Sequence, residues 1–407
     1  MPLSSVGPTT KQQRGRNIGD AAVRKRLIIL AAALFAAGCG TPQEAAAPQA
    51  GAPVKVGLVY SQSGALASYG KQYIEGFKAG LAQATGGTNK VNGRAIEVTE
   101  ADDAGDPAKA VSAAKDLIGK GAKIIAGSTS SGVALQVAPI AAQNKVLFVS
   151  GPAATDGITG VNRYTFRSGR QSYQDVLAAK SFIQAPAGKN VLVFAQEGAF
   201  GSANVAAVTA VIGGAGAKVS SILVPASATD FTPFASQIKT AKPDLLFVAW
   251  AGTTAAGMWQ ALDQQAVLSS TTVVTGLDQK ASYPTFGAAG EKVSFLSHYF
   301  DGATDNDFAK SAAGNVSGGL DIFSPDGFNA AQMIVRAIGQ GGDDVEKMIA
   351  ALEGWSFDGV KGKNTIRKQD HALLQPMFQV KLVGGKPQLV KALNPDEVAP
   401  PAAAMKS

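Results

Sequence analysis

The chain has one cysteine, two histidines and only 16% charged residues among its 407. A single cysteine excludes an intramolecular disulfide, and with two histidines it leaves no Cys/His zinc cluster. Aromatic residues are also sparse, at 7%. No G-x-G-x-x-G, G-x-x-x-x-G-K-[ST] or G-x-S-x-G motif occurs, so the common dinucleotide, nucleotide and serine-hydrolase signatures are missing. His298 and His371 stand in no motif of nucleophilic chemistry, and His298 reads as a structural or hinge residue. What is plentiful is apolar character, 46% of the chain, which suits a well-buried globular protein. A length of 407 residues makes two domains the prior.

The formal net charge of +7 looks like a signal for nucleic acid or a membrane surface. Its distribution says otherwise. Residues 1–38 hold six Lys/Arg and one Asp, which leaves 31 basic and 29 acidic residues from Cys39 onward. The basic front reads Arg24-Lys25-Arg26, followed by eleven apolar residues, Leu27–Ala37, and then Gly38-Cys39. That is the form of an export signal, and eleven residues make a helix of roughly 16 Å, too short to span a bilayer. The start before Arg24 is longer than usual, so initiation at Val23 is the expectation. Ala36-Ala37-Gly38-Cys39 resembles a bacterial lipobox, with Ala36 where Leu is commoner. Cys39 is therefore expected to be lipidated, although a lone thiol also suits a core position. Residues 1–38 are then a signal peptide and residues 39–53, rich in Ala, Pro and Gln, a flexible linker.

From Val54 the chain alternates short apolar runs with helix-period segments. Val54–Tyr60 is a strand, and Ser68 is placed to cap a helix carrying Ile74, Phe77 and Leu81. Arg94–Ala101 alternates as a strand, and Asp106-Pro107 opens a helix that ends near Gly119. The pattern restarts after Arg167 with strands at Val191–Phe194, Val219–Val224, Leu245–Ala249 and Thr272–Thr275 and helices between them. Continuous apolar strands with crossover helices predict α/β architecture with two doubly wound, Rossmann-like lobes.

Ligands of such sheets sit outside the carboxyl ends of the strands. The loops there are Ser61–Gly64, Gly127–Gly132, Gly151–Thr155, Gln196–Gly201 and Gly276–Asp278. The serine-rich loop offers hydroxyls and amides at a helix start, an arrangement for an anion, and equally for a plain N-cap.

In order and spacing, VGLVYSQSGALASYG (56–70), DDAGDP (102–107), GSTSSG (127–132), SGPAAT (150–155) and Phe200-Gly201 resemble the branched-chain amino-acid type of solute-binding protein of ABC importers. The resemblance covers roughly residues 54–390. It implies the type I periplasmic-binding-protein fold, with lobes joined by three crossings near Arg167–Gly169, His298–Phe300 and Asp370–Leu373. One lobe is then 54–168 plus 299–371 and the other 169–298 plus 372–394, with 395–407 a disordered tail.

By the same resemblance the protein is no enzyme and carries no metal or cofactor. The resemblance implies a monomeric, lipid-anchored receptor outside the cytoplasm. Such a receptor would capture a small amino acid, aliphatic or branched-chain, between closing lobes and deliver it to an ABC permease and ATPase. Ser131 and Gly132 would hold the ligand carboxylate, and Ala153 and Thr155 match the segment that takes the α-carboxylate and α-ammonium. Phe200 would lie over the ammonium, Asp278 would pair with it, and Tyr69 and Phe323 would wall the side-chain pocket. The residues alone also fit plainer roles: Asp278 as a turn residue, Phe200 and Phe323 as packing.

Three features depart from relatives. Gly105 and Ser130 stand where many carry a disulfide, Phe200 where a tyrosine is frequent, and Asp278 where Glu is frequent. The last two open the ligand to other small carboxylates, aromatic acids or amides. A ligand-sensing receptor on the same lobes is the alternative role. A DNA-binding regulator is excluded by the export signal at its front, so no nucleic-acid partner is expected.

Overall fold

The computed structural model describes residues 51–406. The expected signal peptide, Cys39 and nearly all of the expected linker lie outside these residues. Six strands form the first sheet: β1 (Val54–Tyr60), β2 (Lys90–Val91), β3 (Arg94–Asp102), β4 (Ile124–Gly127), β5 (Leu147–Ser150) and β6 (Thr165–Arg167), in the order β2-β3-β1-β4-β5-β6. All pairings are parallel except β2 with β3, and Val56 sits in register between Val98 and Ile124. The second sheet takes β7 (Asn190–Gln196), β8 (Lys218–Val224), β9 (Leu245–Ala249), β10 (Thr272–Gly276) and β11 (Ser294–Ser297). A small antiparallel sheet, β12 (Ser356–Gly359), β13 (Gly362–Ile366) and β14 (Leu373–Leu374), returns to the first lobe. The chain then completes the second sheet with β15 (Met377–Val383) and β16 (Lys386–Leu393), in the order β16-β15-β11-β10-β9-β7-β8. The chain thus passes three times between two lobes.

Helices cover both faces of each sheet, so successive strand residues are apolar on both sides. In the first lobe Val56 and Leu58 face the helices Ala67–Ala84 and Ser324–Gly341, among Tyr73, Phe77 and Ile334. Val59 and Ile125 face the helices Pro107–Gly119 and Ser131–Asn144, among Leu117 and Val137. In the second lobe Leu192 and Phe194 join one cluster with Met258 and Phe295, and Val191 and Val193 join another with Ala207 and Ile212. Burying one such side chain stabilises by roughly 1.5–3 kcal/mol.

The helices Ala67–Ala84 and Ser324–Gly341 meet at their backbones. A Cβ on Gly327 would collide with the Tyr73 carbonyl and lie 2.5 Å from the Phe77 amide nitrogen. We therefore expect Gly327→Ala to destabilise by about 1–3 kcal/mol through overpacking, read as a lower urea midpoint at unchanged slope.

Two expectations need correction. Ser68 does not cap its helix, which begins at Ala67 with Leu66 preceding it and no capping side chain. Asp106 does cap, accepting from Ala108 N (2.7 Å) and Lys109 N (3.0 Å). The C-terminal segment is not a loose tail. Val398 is buried with Val176 and Met377 of the second lobe. Beyond it, Arg367 Nη1 donates to Pro400 O (2.7 Å), Ala403 N to Asp370 Oδ2 (2.9 Å) and Lys406 N to Gly160 O (2.8 Å), all in the first lobe. Prolines lack an N–H but keep their carbonyls, and Arg367 collects two of them, Pro400 and Pro401.

Candidate ligand-binding site

In each sheet one strand sends the chain first to one neighbour and then to the other: β1 between β3 and β4, β7 between β8 and β9. Such switch points open a crevice at the carboxyl ends of the strands. The two crevices face each other across a cavity of about 370 Å³.

Six of the eight expected residues line it. Tyr69, Ser131, Gly132 and Phe323 come from the first lobe, Phe200 and Asp278 from the second. Ser131 is the first residue of its 14-residue helix, at the positive end of the helix dipole, and its Oγ accepts from Thr155 N (3.2 Å). Tyr69 packs on Phe323 at a ring-centroid distance of 4.5 Å. Its hydroxyl crosses the cleft to Asp278 Oδ1 (2.7 Å) and accepts from Gly252 N (3.2 Å). Burial beside Asp278 pushes the phenol pKa well up, so Tyr69 stays protonated and donates. Asp278 Oδ1 also accepts from its neighbour's amide, Gln279 N (2.8 Å).

Ala153 and Thr155 are not in the wall; Pro152 and Ala154 are. Ala153 is buried with Phe148 and Ile158, and its amide is spent on Ser128 O (3.2 Å). Thr155 turns away to cap a single 3₁₀ turn through Gly157 N (3.2 Å), and its carbonyl is taken by Arg167 Nη2 (2.6 Å). Its amide holds Ser131 Oγ, so it supports the wall from behind.

The structure adds wall residues that the sequence reading passed over: Arg170, Trp250, Asp175 and His298. Trp250 follows β9 directly, and the rule on strand-end loops was enough to find it. Its indole donates to Thr254 Oγ1 (3.0 Å) and packs edge-on against Phe231 (5.3 Å). Arg170 carried no such signal. It lies at the first crossing, with Nε 3.3 Å from Asp175 Oδ2 and Nη1 donating to Pro152 O (2.9 Å).

Behind this wall is a buried charge group. Asp326 is fully buried, and neither of its oxygens accepts a hydrogen bond. Lys361 Nζ lies 4.0 Å from Oδ1 and His298 Nε2 3.9 Å from Oδ2. Lys361 also donates to Gln375 Oε1. Burial pushes Asp326 and Asp175 up to about 6 and Lys361 down to about 8. Burial, helped by the charges of Arg170 and Lys361, holds His298 well below 6.5, so its ring is neutral at pH 7. His371 stacks on Phe166 at 3.7 Å with Nδ1 3.0 Å from Thr165 O. Among the described residues, no His/Cys/Asp/Glu group could hold a metal ion, and no helix is long and apolar enough to cross a membrane.

A two-lobed, doubly wound chain with a cavity between its lobes has close counterparts. The sequence pattern of the family described as periplasmic binding protein matches residues 53–386. The chain belongs to that family. A relative named Leu/Ile/Val-binding protein BraC3, from Rhizobium johnstonii, is 32% identical over 208 residues, 49% of this chain and 55% of that one. The chain therefore spans about half the length of that relative. A solved structure titled an ABC-type branched-chain amino acid transporter, from Rhodopseudomonas palustris CGA009, is 32% identical with a TM-score of 0.68, covering 87% of this chain and 100% of that one. An R. palustris solute-binding protein in complex with 4-hydroxybenzoate has a TM-score of 0.77 over 84% of this chain and 97% of that one, at 23% identity, which shows the fold alone. As a periplasmic binding protein the chain is a binder and not an enzyme, and membership of the family implies a place outside the cytoplasm.

Proposed function

We propose that this periplasmic binding protein is the receptor of an ABC importer, capturing a small amino acid and delivering it to a permease and ATPase. Cys39 would carry the lipid anchor, and the protein would act as a monomer. The observation that carries the reading is the polarity of the cavity. Ser131 and Gly132 open a helix on one lobe, where a carboxylate is stabilised, and the Asp278 carboxylate stands on the other, where an ammonium is. A zwitterion bridging the two gains most when the lobes are closed, which is how a ligand shifts such an equilibrium. The names of the Rhizobium and Rhodopseudomonas relatives support a branched-chain ligand.

A second reading, an aromatic carboxylate, is favoured by the five Phe, Tyr and Trp residues that line the cavity: Tyr69, Phe200, Phe247, Trp250 and Phe323. Thermal shift and isothermal titration against aliphatic, aromatic and polar amino acids, their amides, and benzoates separate the two. A ligand at 100 times its dissociation constant should add about 2.7 kcal/mol to stability. Binding of benzoates with no response to any amino acid would reject the amino-acid reading.

A further inference from the structure

Two arginines enter the first crossing, three residues apart, and they spend their donors differently. Arg167 is buried away from the cavity. Its Nη1 donates to Arg170 O (2.6 Å) and its Nη2 to Thr155 O (2.6 Å), so its guanidinium holds the hinge backbone. Arg170 lines the cavity. Its Nε faces Asp175 (3.3 Å), its Nη1 takes the Pro152 carbonyl (2.9 Å), and its carbon Cζ lies 5.8 Å from the Phe323 ring centroid. Its Nη2 makes no hydrogen bond among the described residues, and it is not among the sealed, unpartnered buried atoms. Nη2 is therefore not sealed, whereas Nε is, and the space that Arg170 lines is the cavity.

A cation placed in a largely apolar wall is costly unless it is paired. Asp175 supplies one partner at Nε, on the edge that Nε shares with Nη2, and fixes the fork's direction. A guanidinium that is held by Asp175 and Pro152 and keeps Nη2 unspent suits a ligand carboxylate, whose oxygen accepts a charge-assisted hydrogen bond.

We infer that Arg170 is a carboxylate anchor of the cavity, held in place by Asp175, and that the ligand presents an ionised carboxylate to it. The inference rests on the proposed function only in that a small molecule occupies the cleft; it does not need an α-ammonium. It makes Arg170 the specificity residue for carboxylates over their amides, whether the rest of the ligand is an amino acid or an aromatic ring.

The test is isothermal titration at pH 7.5 of the full mature protein with matched pairs: L-leucine and L-leucinamide, L-phenylalanine and its amide, benzoate and benzamide. The anchor predicts that carboxylates bind and amides do not. Arg170→Gln should lose about 10- to 100-fold in carboxylate affinity, with Arg170→Lys recovering part of it. An Arg170→Gln/Asp175→Asn variant leaves no unpaired buried carboxylate and should show the same loss in a protein whose melting temperature is closer to the parent's. A merely structural arginine would instead weaken both members of a pair alike. Amides binding as well as carboxylates, unchanged carboxylate affinity in the double variant, or no carboxylate binding at all would each overturn the assignment. Carboxylates binding only when they lack an ammonium would uphold the anchor and reject the amino-acid reading.

Discussion

Lys361→Met is expected to cost about 3–5 kcal/mol of stability at pH 7.5, because it leaves Asp326 as an uncompensated buried charge. Both side chains are fully buried, 4.0 Å apart, and Asp326 has no hydrogen bond to fall back on. The cost should depend on pH with a definite sign. An Asp with a folded pKa of about 6, against roughly 3.9 unfolded, binds its proton more tightly when folded. Its contribution to stability therefore falls as pH rises from about 4 to 6 and is at its worst above that window. Removing the lysine raises this pKa further, so the variant should regain stability as the solution is acidified towards pH 5. Other carboxylates move the opposite way: Asp370, paired with Arg367, is held low and loses stability as pH falls. Measuring variant against parent at each pH cancels them. Urea denaturation from pH 5 to 8 is the measurement. A small, pH-independent cost would mean the two groups do not pair. Pairing Lys361→Met with Asp326→Asn should restore most of the loss, since a neutral pair carries no buried charge.

This charge group also marks the limit of what the sequence could disclose. β9 and the helix Pro107–Gly119 are legible with the bounds the structure gives them, because a buried parallel strand is a continuous apolar run and an amphipathic helix repeats every 3.6 residues. The helix start at Asp106-Pro107 was legible because proline is tolerated at the first helical position, and Asp106 accepts there from amides two and three residues on. The cleft was legible because sheet topology puts strand-end loops together, and the family resemblance singled out Ser131, Phe200 and Asp278 within those loops. Arg170, Lys361 and Asp326 were not. A charged residue in sequence reads as solvated by default, and Lys361 meets Asp326 only when the small antiparallel sheet packs beside the helix Ser324–Gly341. Thr155 fails for a local reason: its hydroxyl finds an amide two residues on before it can reach a ligand. The tail fails because composition describes an isolated segment, while Val398 has a core to enter.

Asp278→Ala should cost about 10- to 100-fold in affinity for an α-amino acid, the worth of a hydrogen bond to a charged group. Loss of affinity alone would not separate two roles for this carboxylate, because Asp278 both faces the cavity and receives the Tyr69 hydroxyl from the opposite lobe. Tyr69→Phe separates them. It deletes the bond across the cleft but leaves the carboxylate, whose Oδ2 accepts no hydrogen bond among the described residues and is free for a ligand ammonium. If Asp278 serves only as a latch, the two variants should weaken binding equally. If it receives the ammonium, Asp278→Ala should cost several-fold more than Tyr69→Phe. The excess should vanish when L-leucine is replaced by 4-methylpentanoate, which keeps the carboxylate and side chain but lacks the amine. Calorimetry with these two ligands on the parent and both variants gives the coupling directly. Equal losses for the two variants, or an excess that persists with 4-methylpentanoate, would remove Asp278 from the ammonium site and leave it as part of the closure contact.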